Sequence, residues 1–264
     1  MKRNLFFWIC IVLLVIILLF SGFRLIQGVM EYRKGEKTYE DLSQFVQFET
    51  VSRPTEPSLS DTEIPAEPEA EQIPVVDFES LLSRNGDTVG WIYIPGTKVS
   101  YPVVQSVDND YYLYSLFDGT INSAGSIFMD YRNDATWLDR HSVIYGHNMK
   151  NGTMFADILN YQNRDFYKAH PTGYLLTPYG NFEIVFFAGY VADPTVPEEN
   201  AWELNFADDE SYLQWLSNAV SRSAFQSNTV PGVQDRVITL STCSYAYDDA
   251  RFILQGVLKP MNEQ

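Results

Sequence analysis

Leu5 to Phe20 is an unbroken run of sixteen apolar residues, and Ser21, Gly22 and Phe23 extend it to Arg24. A helix rises about 1.5 Å per residue, so roughly twenty residues cross a bilayer core. This run is just long enough if its basic flanks snorkel toward the headgroups. In lipid every backbone N–H and C=O must be satisfied within the segment, so a helix is the form expected here. The competing reading is a cleaved signal peptide. No small-x-small cleavage site follows the run, so an uncleaved signal anchor over residues 1–28 is expected. Orientation is not decided by charge: Lys2 and Arg3 precede the run, but Arg24, Arg33, Lys34 and Lys37 follow it.

Beyond the anchor the text changes twice. Glu31 to Phe48 mixes charges with Tyr39, Leu42, Phe45 and Val46, a spacing that suits a helix continuing from the anchor and lying against the domain. Ser52 to Pro74 holds five prolines (Pro54, Pro57, Pro65, Pro68 and Pro74) among Ser, Thr and Glu, with no aromatic residue. Such a segment buries too little apolar surface to fold and reads as an extended acidic spacer that lifts the following domain off the membrane. The expected organisation is an anchor at 1–28, a juxtamembrane helix and Pro/Glu-rich linker at 29–74, and one globular domain at 75–264.

That domain reads as mainly β. Trp91–Ile94, Pro102–Gln105, Ser126–Met129 and Ser142–Gly146 are short strand candidates separated by Pro, Gly and Asn turns. Gly173–Thr177 and Phe182–Val191 flank a hairpin turn at Pro178-Tyr179-Gly180-Asn181, and Arg236–Thr242 with Phe252–Leu258 closes the chain. Helices are few. Phe78–Leu82 is short, Thr153–Leu159 gives one or two turns, and Ala207–Phe225 is the longest, with Tyr212, Leu213, Leu216 and Val220 on one face. Many short strands with few helices point to a closed or nearly closed β-barrel.

Charge excludes one class of partner. The chain carries −16, and Lys2, Arg3 and Arg24 are the charged residues of 1–28, so residues 29–264 carry −19. Phosphate backbones need clustered Lys and Arg, so nucleic acid is not expected. The two cysteines are Cys10, inside the apolar run, and Cys243. No disulfide can form within the globular domain, and no CxxC or Cys/His cluster offers a zinc site. No metal or cofactor is expected.

The lone thiol outside the anchor is therefore a candidate nucleophile, against the usual alternative of a small buried cysteine. Cys243 ends the apolar strand candidate Val237-Ile238-Thr239-Leu240, and Arg251 opens the next one, Phe252-Ile253-Leu254. In a neighbouring strand pair the two lie at the same end. A fixed guanidinium there lowers a thiol's pKa and can neutralise a developing oxyanion. Of three histidines, His147 follows Val143-Ile144-Tyr145-Gly146 at a strand end, while His141 and His170 read as exposed turn residues. An imidazole is suited to proton transfer near neutral pH. Two arrangements remain open on the residues: Arg251 as the oxyanion partner, or Asp248 or Asp249 orienting His147 as the third member of a triad.

These blocks resemble a known family. Thr239-Leu240-Ser241-Thr242-Cys243, Arg251 and Tyr145-Gly146-His147-Asn148-Met149 are similar to a sortase. Gly90-Trp91-Ile92, Tyr101-Pro102-Val103-Val104-Gln105 and Gly125-Ser126-Ile127-Phe128-Met129-Asp130 narrow the resemblance to class B. The match runs from about Asp77 to Leu258. It implies an eight-stranded sortase-type β-barrel and a Cys-His-Arg site of Cys243, His147 and Arg251. It also implies transpeptidation: cleavage after Thr in a C-terminal sorting motif of a surface protein (LPXTG-like or NPQTN-like), a thioester on Cys243, and transfer to an amine of a cell-wall precursor such as the lipid II cross-bridge. Thr242, Ser241 and Tyr245 beside the nucleophile, with Asn109 and Leu113 upstream, are the candidate peptide contacts. The resemblance also sets the topology, with a cytoplasmic N-terminus and the barrel outside a Gram-positive cell. Asp-Pro is absent from residues 29–90, so the lid of pilus-building class C sortases is not expected. Competing functions are pilin polymerisation, a thiol endopeptidase resolved by water, and a non-enzymatic surface binding module.

Overall fold

Two apolar faces on most strands, rather than one, shape this domain. The computed structural model describes residues 2–51, 71–196, 200–243 and 249–261. Among the described residues ten strands and four α-helices follow one another, besides 3-10 helices at Ser43–Phe45 and Ala156–Gln162: α1 (Lys2–Leu42), β1 (Val46–Val51), β2 (Glu71–Val76), α2 (Phe78–Arg84), β3 (Thr88–Tyr93), β4 (Ser100–Val104), β5 (Ile127–Met129), β6 (His141–Tyr145), α3 (Arg164–Ala169), β7 (Thr172–Leu176), β8 (Phe182–Ala192), α4 (Asp209–Arg222), β9 (Arg236–Cys243) and β10 (Arg251–Pro260). Strands β3 to β10 form a closed barrel in the order β10-β8-β7-β3-β4-β5-β6-β9, as expected from the short strands. Closure removes the free edges that an open sheet of this size would expose.

The barrel interior is filled by alternate residues: Ile92 from β3, Val103 from β4, Ile144 from β6, Leu240 from β9, and Phe252 and Leu254 from β10. The intervening residues are buried as well. Trp91, Val104 and Phe128 pack outward with Leu42 and Leu81, while Phe187, Tyr190, Ile253 and Val257 pack under α4. This double burial is why the strands read as continuous apolar runs instead of alternating ones.

Helix α4 begins at a capping box, in which the Asp208 carboxylate accepts from the Ser211 backbone N–H. Its buried face is Tyr212, Leu216 and Ala219. Leu213 and Val220 are exposed instead, at 43% and 46%. The apolar stripe is narrower than the sequence suggests, because α4 lies on the barrel along one i, i+4, i+7 row.

His141 departs further from expectation. It opens β6 and is 1% exposed, with Nδ1 2.6 Å from the Glu203 carbonyl and Nε2 2.7 Å from Thr239 Oγ1. Its ring lies 4.5 Å from that of Trp215. Burial pulls its pKa down to about 4, against the opposing pull of the Glu203 carbonyl. It is a neutral core residue rather than an exposed one. His170 follows α3 as its C-cap and is half-buried, its ring tilted against that of Phe166 at 4.5 Å.

The N-terminal third adds a long helix and a strand pair, and residues 52–70 of the expected spacer lie outside the described residues. Helix α1 runs unbroken from the apolar segment to Leu42, and it is the one helix among the described residues long and apolar enough to cross a bilayer. β1 then pairs antiparallel with β2 from Val46↔Val76 to Val51↔Glu71. Val51 and Glu71 are therefore neighbours. The lower half of α1 contacts the domain directly: the Glu31 carboxylate accepts from the Ser123 N–H at 2.8 Å, and its carbonyl accepts from Asn122 Nδ2 at 2.9 Å. Glu31 lies seven residues beyond Arg24, about 10 Å along a helix.

Candidate active site

The site is built where two non-adjacent chain segments become neighbours. β6 pairs parallel with β9 from His141↔Val237 to Tyr145↔Ser241, and the Gly146 N–H donates to the Ser241 carbonyl at 3.1 Å. β9 in turn pairs antiparallel with β10, where Cys243 sits opposite Arg251. Partners facing each other in an antiparallel pair lie about 5 Å apart at their Cα atoms. The parallel pairing thus delivers His147 to the strand end that carries Cys243 and Arg251. A cleft of about 320 Å³ opens there, lined by Asn109, Asp110, Leu113, Phe128, Tyr145, Gly146, His147, Ser241, Thr242 and Arg251.

Gly146 makes the approach possible. A Cβ there would lie 2.4 Å from Ile127 Cδ1 and 2.7 Å from Phe155 Cδ2, so the chain passes flush against the core just before His147. A Gly146→Ala substitution should therefore destabilise by about 1–3 kcal/mol through overpacking and displace His147. The check is a lowered melting temperature together with a kcat loss larger than that of a substitution of equal stability cost elsewhere in the barrel.

His147 is held from two sides. Its Nε2 lies 2.8 Å from the Leu113 carbonyl oxygen, and its own carbonyl accepts from the Phe155 N–H at 2.9 Å. A carbonyl can only accept, so Nε2 carries a proton, and in the neutral ring Nδ1 is the basic nitrogen. Arg251 opens β10, and its Nη1 donates to the carbonyls of Asp249 at 2.8 Å and Ala250 at 3.2 Å. Asp249 stands at φ 61°, in the left-handed region, and this turn presents its carbonyl to the guanidinium. Arg251 is thus tied back along its own loop while lining the cleft. The Cys243 backbone ends β9; Ser244 to Asp248 lie outside the described residues, and with them Tyr245 and one of the two candidate aspartates.

The remaining candidates divide by what already occupies them. Thr242 is buried and lines the cleft, and its hydroxyl has no hydrogen-bond partner among the described residues. Ser241 lines the cleft too, but its hydroxyl accepts from Trp202 Nε1 at 3.0 Å, which ties the loop after β8 to the site. Asn109 is engaged at both ends of its amide: Nδ2 donates to Asp130 at 3.1 Å and Oδ1 accepts from the Tyr131 N–H at 3.0 Å. Leu113 is half-buried in the wall, and its carbonyl is the partner of His147.

Sequence reasoning passed over the residue that organises this wall. Asp130 is fully buried and accepts from Arg132 Nε and Nη2, each at 2.8 Å, from the Tyr145 hydroxyl at 2.9 Å and from Asn109. Burial alone would raise its pKa, but the bonds from the Arg132 side chain and backbone, Tyr145 and Asn109 outweigh it and hold it at about 2. A carboxylate depressed below its unfolded value stabilises the fold above that value and loses the contribution as pH falls toward 2. Acid titration of stability should therefore show a steep loss between about pH 4 and pH 2. Asp130→Asn should flatten that segment when melting temperature is measured against pH. The signal for Asp130 was the dipeptide Met129-Asp130 at the end of a buried strand, where an acid needs partners.

Among the described residues no group of three or more His, Cys, Asp or Glu could hold a metal ion. The arrangement suits acyl transfer: an imidazole with a defined tautomer and a guanidinium line one open cleft, and the strand that ends at Cys243 is paired with the strand that Arg251 opens.

Comparison with known proteins agrees with that chemistry. The Sortase domain family model matches residues 92–259. A sortase B of Listeria monocytogenes is 40% identical over 184 residues, covering 69% of this chain and 74% of the relative. A sortase B of Staphylococcus aureus is 32% identical over 249 residues, covering 94% of each. Among solved structures, a Staphylococcus aureus sortase B–substrate complex superposes with a TM-score of 0.66 at 33% identity, over 70% of this chain and 85% of that one. The Bacillus anthracis sortase B in complex with AAEK1 gives 0.71 at 28% identity, over 88% of this chain and 100% of that one.

Proposed function

Because this chain belongs to the sortase family, class B, whose members are cysteine transpeptidases acting in cell-wall anchoring, we propose that Cys243, His147 and Arg251 carry its reaction. The observation that supports this most is the strand register: β9 faces Cys243 to Arg251, while parallel pairing with β6 brings His147 to the same end. The Cys243 thiol gives its proton to His147 Nδ1, and the thiolate attacks the carbonyl carbon of a Thr in a sorting motif. Arg251 balances the negative charge that develops on the carbonyl oxygen. As the tetrahedral species collapses, the C–N bond after Thr breaks, and His147 gives a proton to the departing amine. The product is a thioester on Cys243. An acceptor amine, deprotonated by His147, then attacks that thioester and restores the thiolate.

The substrates are surface proteins with an LPXTG-like or NPQTN-like motif, and the acceptor is an amine of a peptidoglycan precursor such as the lipid II cross-bridge. Thr242, which lines the cleft and whose buried hydroxyl has no partner among the described residues, is the peptide contact best supported; Ser241, Asn109 and Leu113 shape the wall, and Tyr245 flanks the nucleophile in sequence. Helix α1 anchors the enzyme by its apolar segment, with the barrel on the outer face of the membrane, where these substrates are.

The test is to incubate the full chain in nanodiscs with Thr-containing sorting peptides, with and without amine nucleophiles, and follow Cys243 by mass spectrometry. Formation of a thioester that passes to the amine is the expected result. A thioester that meets only water in the presence of every amine would make the protein a thiol endopeptidase. No adduct from any peptide on a folded chain would leave a binding module.

A further inference from the structure

Helix α1 does more than tether the barrel. Three of its residues bind the two loops that converge on His147. Tyr39 Oη donates to the Gly125 carbonyl at 2.6 Å and lies 3.1 Å from Ser126 Oγ. Glu31 receives Ser123 N–H and Asn122 Nδ2. Glu36 Oε1 accepts from Asn151 Nδ2 at 2.8 Å, on the turn between His147 and Phe155.

The first loop leads straight to the imidazole. Gly125 stands at φ +55°, and a Cβ on it would meet the Leu113 carbonyl oxygen at 2.6 Å and that of Tyr112 at 2.8 Å. The Gly125 backbone therefore rests on the Leu113 carbonyl, the same group that receives His147 Nε2 at 2.8 Å. Ser126 closes the unit: its N–H donates to the Tyr112 carbonyl at 2.9 Å and its hydroxyl to the Ser115 carbonyl at 2.8 Å. The path from helix to ring is Tyr39 hydroxyl, Gly125 peptide, Leu113 carbonyl, His147 Nε2. On the other side, Asn151 Oδ1 accepts from the Thr153 hydroxyl at 2.8 Å, two residues before the Phe155 N–H that holds the His147 carbonyl.

We propose that α1 is a positioning element of the active site, with Tyr39 the positioning residue that sets His147 through Gly125 and the Leu113 carbonyl. This rests on the reading of His147 as the proton-transfer group. It means that the helix leaving the membrane is part of the catalytic apparatus, and that a barrel cut free of residues 29–45 has a less ordered imidazole.

The experiment uses the full chain in nanodiscs. Tyr39→Phe keeps the ring, which packs edge-on against Tyr101 at 5.3 Å, and removes only the hydroxyl. Loss of one such hydrogen bond should lower kcat about three- to tenfold with KM unchanged, and should move the histidine limb of the pH–rate profile. The ¹⁵N signals of the His147 ring, assigned by their disappearance in His147→Gln, should shift toward a tautomer mixture. Thr38→Ala removes a hydroxyl that, among the described residues, donates to the Lys34 carbonyl of the same helix, and should match the parent in all three. An unchanged pH limb and unchanged His147 signals in Tyr39→Phe would overturn the proposal, whatever happens to melting temperature. Retained transfer by His147→Ala would instead overturn the proton-transfer reading, because the ring signals report positioning independently of turnover.

Discussion

Cys243→Ala should abolish both halves of the reaction. Without a sulfur nucleophile there is no covalent acyl-enzyme, and the cleft retains only orientation and charge stabilisation. Turnover of a sorting peptide should fall by more than about 10³-fold, and the covalent adduct should vanish from the mass spectrum. Cys243 is the second of two cysteines, and Cys10 lies in the apolar run, so no other thiol of the globular domain can substitute. The melting temperature should hold, because the substitution trades one small side chain for another at a strand end. Residual thioester on any other residue would require a different nucleophile. Normal transfer without an adduct would require a non-covalent mechanism.

Arg251→Ala is the second large effect, and it separates the two assignments of the third role. Removing a donor to a developing oxyanion costs about 10²–10³-fold in kcat. The guanidinium also bonds the carbonyls of Asp249 and Ala250, so part of the loss will come from a loosened loop. Arg251→Lys distinguishes these parts. It retains a positive charge but not the planar fork, and should recover a minor share of kcat while KM stays near the parent value. If Arg251→Ala turns over normally and Asp248→Ala does not, the oxyanion assignment fails and a Cys-His-Asp triad takes its place.

Local sequence carried much of this protein. Sixteen apolar residues in a row pointed to a long helix, and α1 runs through them, long and apolar enough to cross a bilayer. Short β-branched runs between turn residues made a closed barrel the economical arrangement, and the barrel closed. Cys243, Arg251 and His147 stood out because a lone thiol, a permanently charged guanidinium and an imidazole all fell at strand ends. Where local text and surroundings conflicted, the surroundings decided. His141 follows Asp139-Arg140 on what reads as a polar turn, yet partners from Glu203, Thr239 and Trp215 bury it. The last residues of the Pro-rich stretch, Glu71 to Pro74, read as unfolded text, yet they pair with β1.

What the sequence alone determined was composition at short range: a long apolar N-terminal segment, a strand-rich domain, and three candidate side chains each at the end of its own element. What only the tertiary structure decided was which of those ends meet. The parallel β6–β9 register, the Asp130 carboxylate that gathers Asn109 and Tyr145, and the route from Tyr39 to His147 all join residues far apart in the chain. A single sequence does not display such pairings, because a hydrogen bond leaves its trace in two positions whose separation is set by the path of the whole fold. Propensity acts over a few residues, while the site is held together across nearly a hundred.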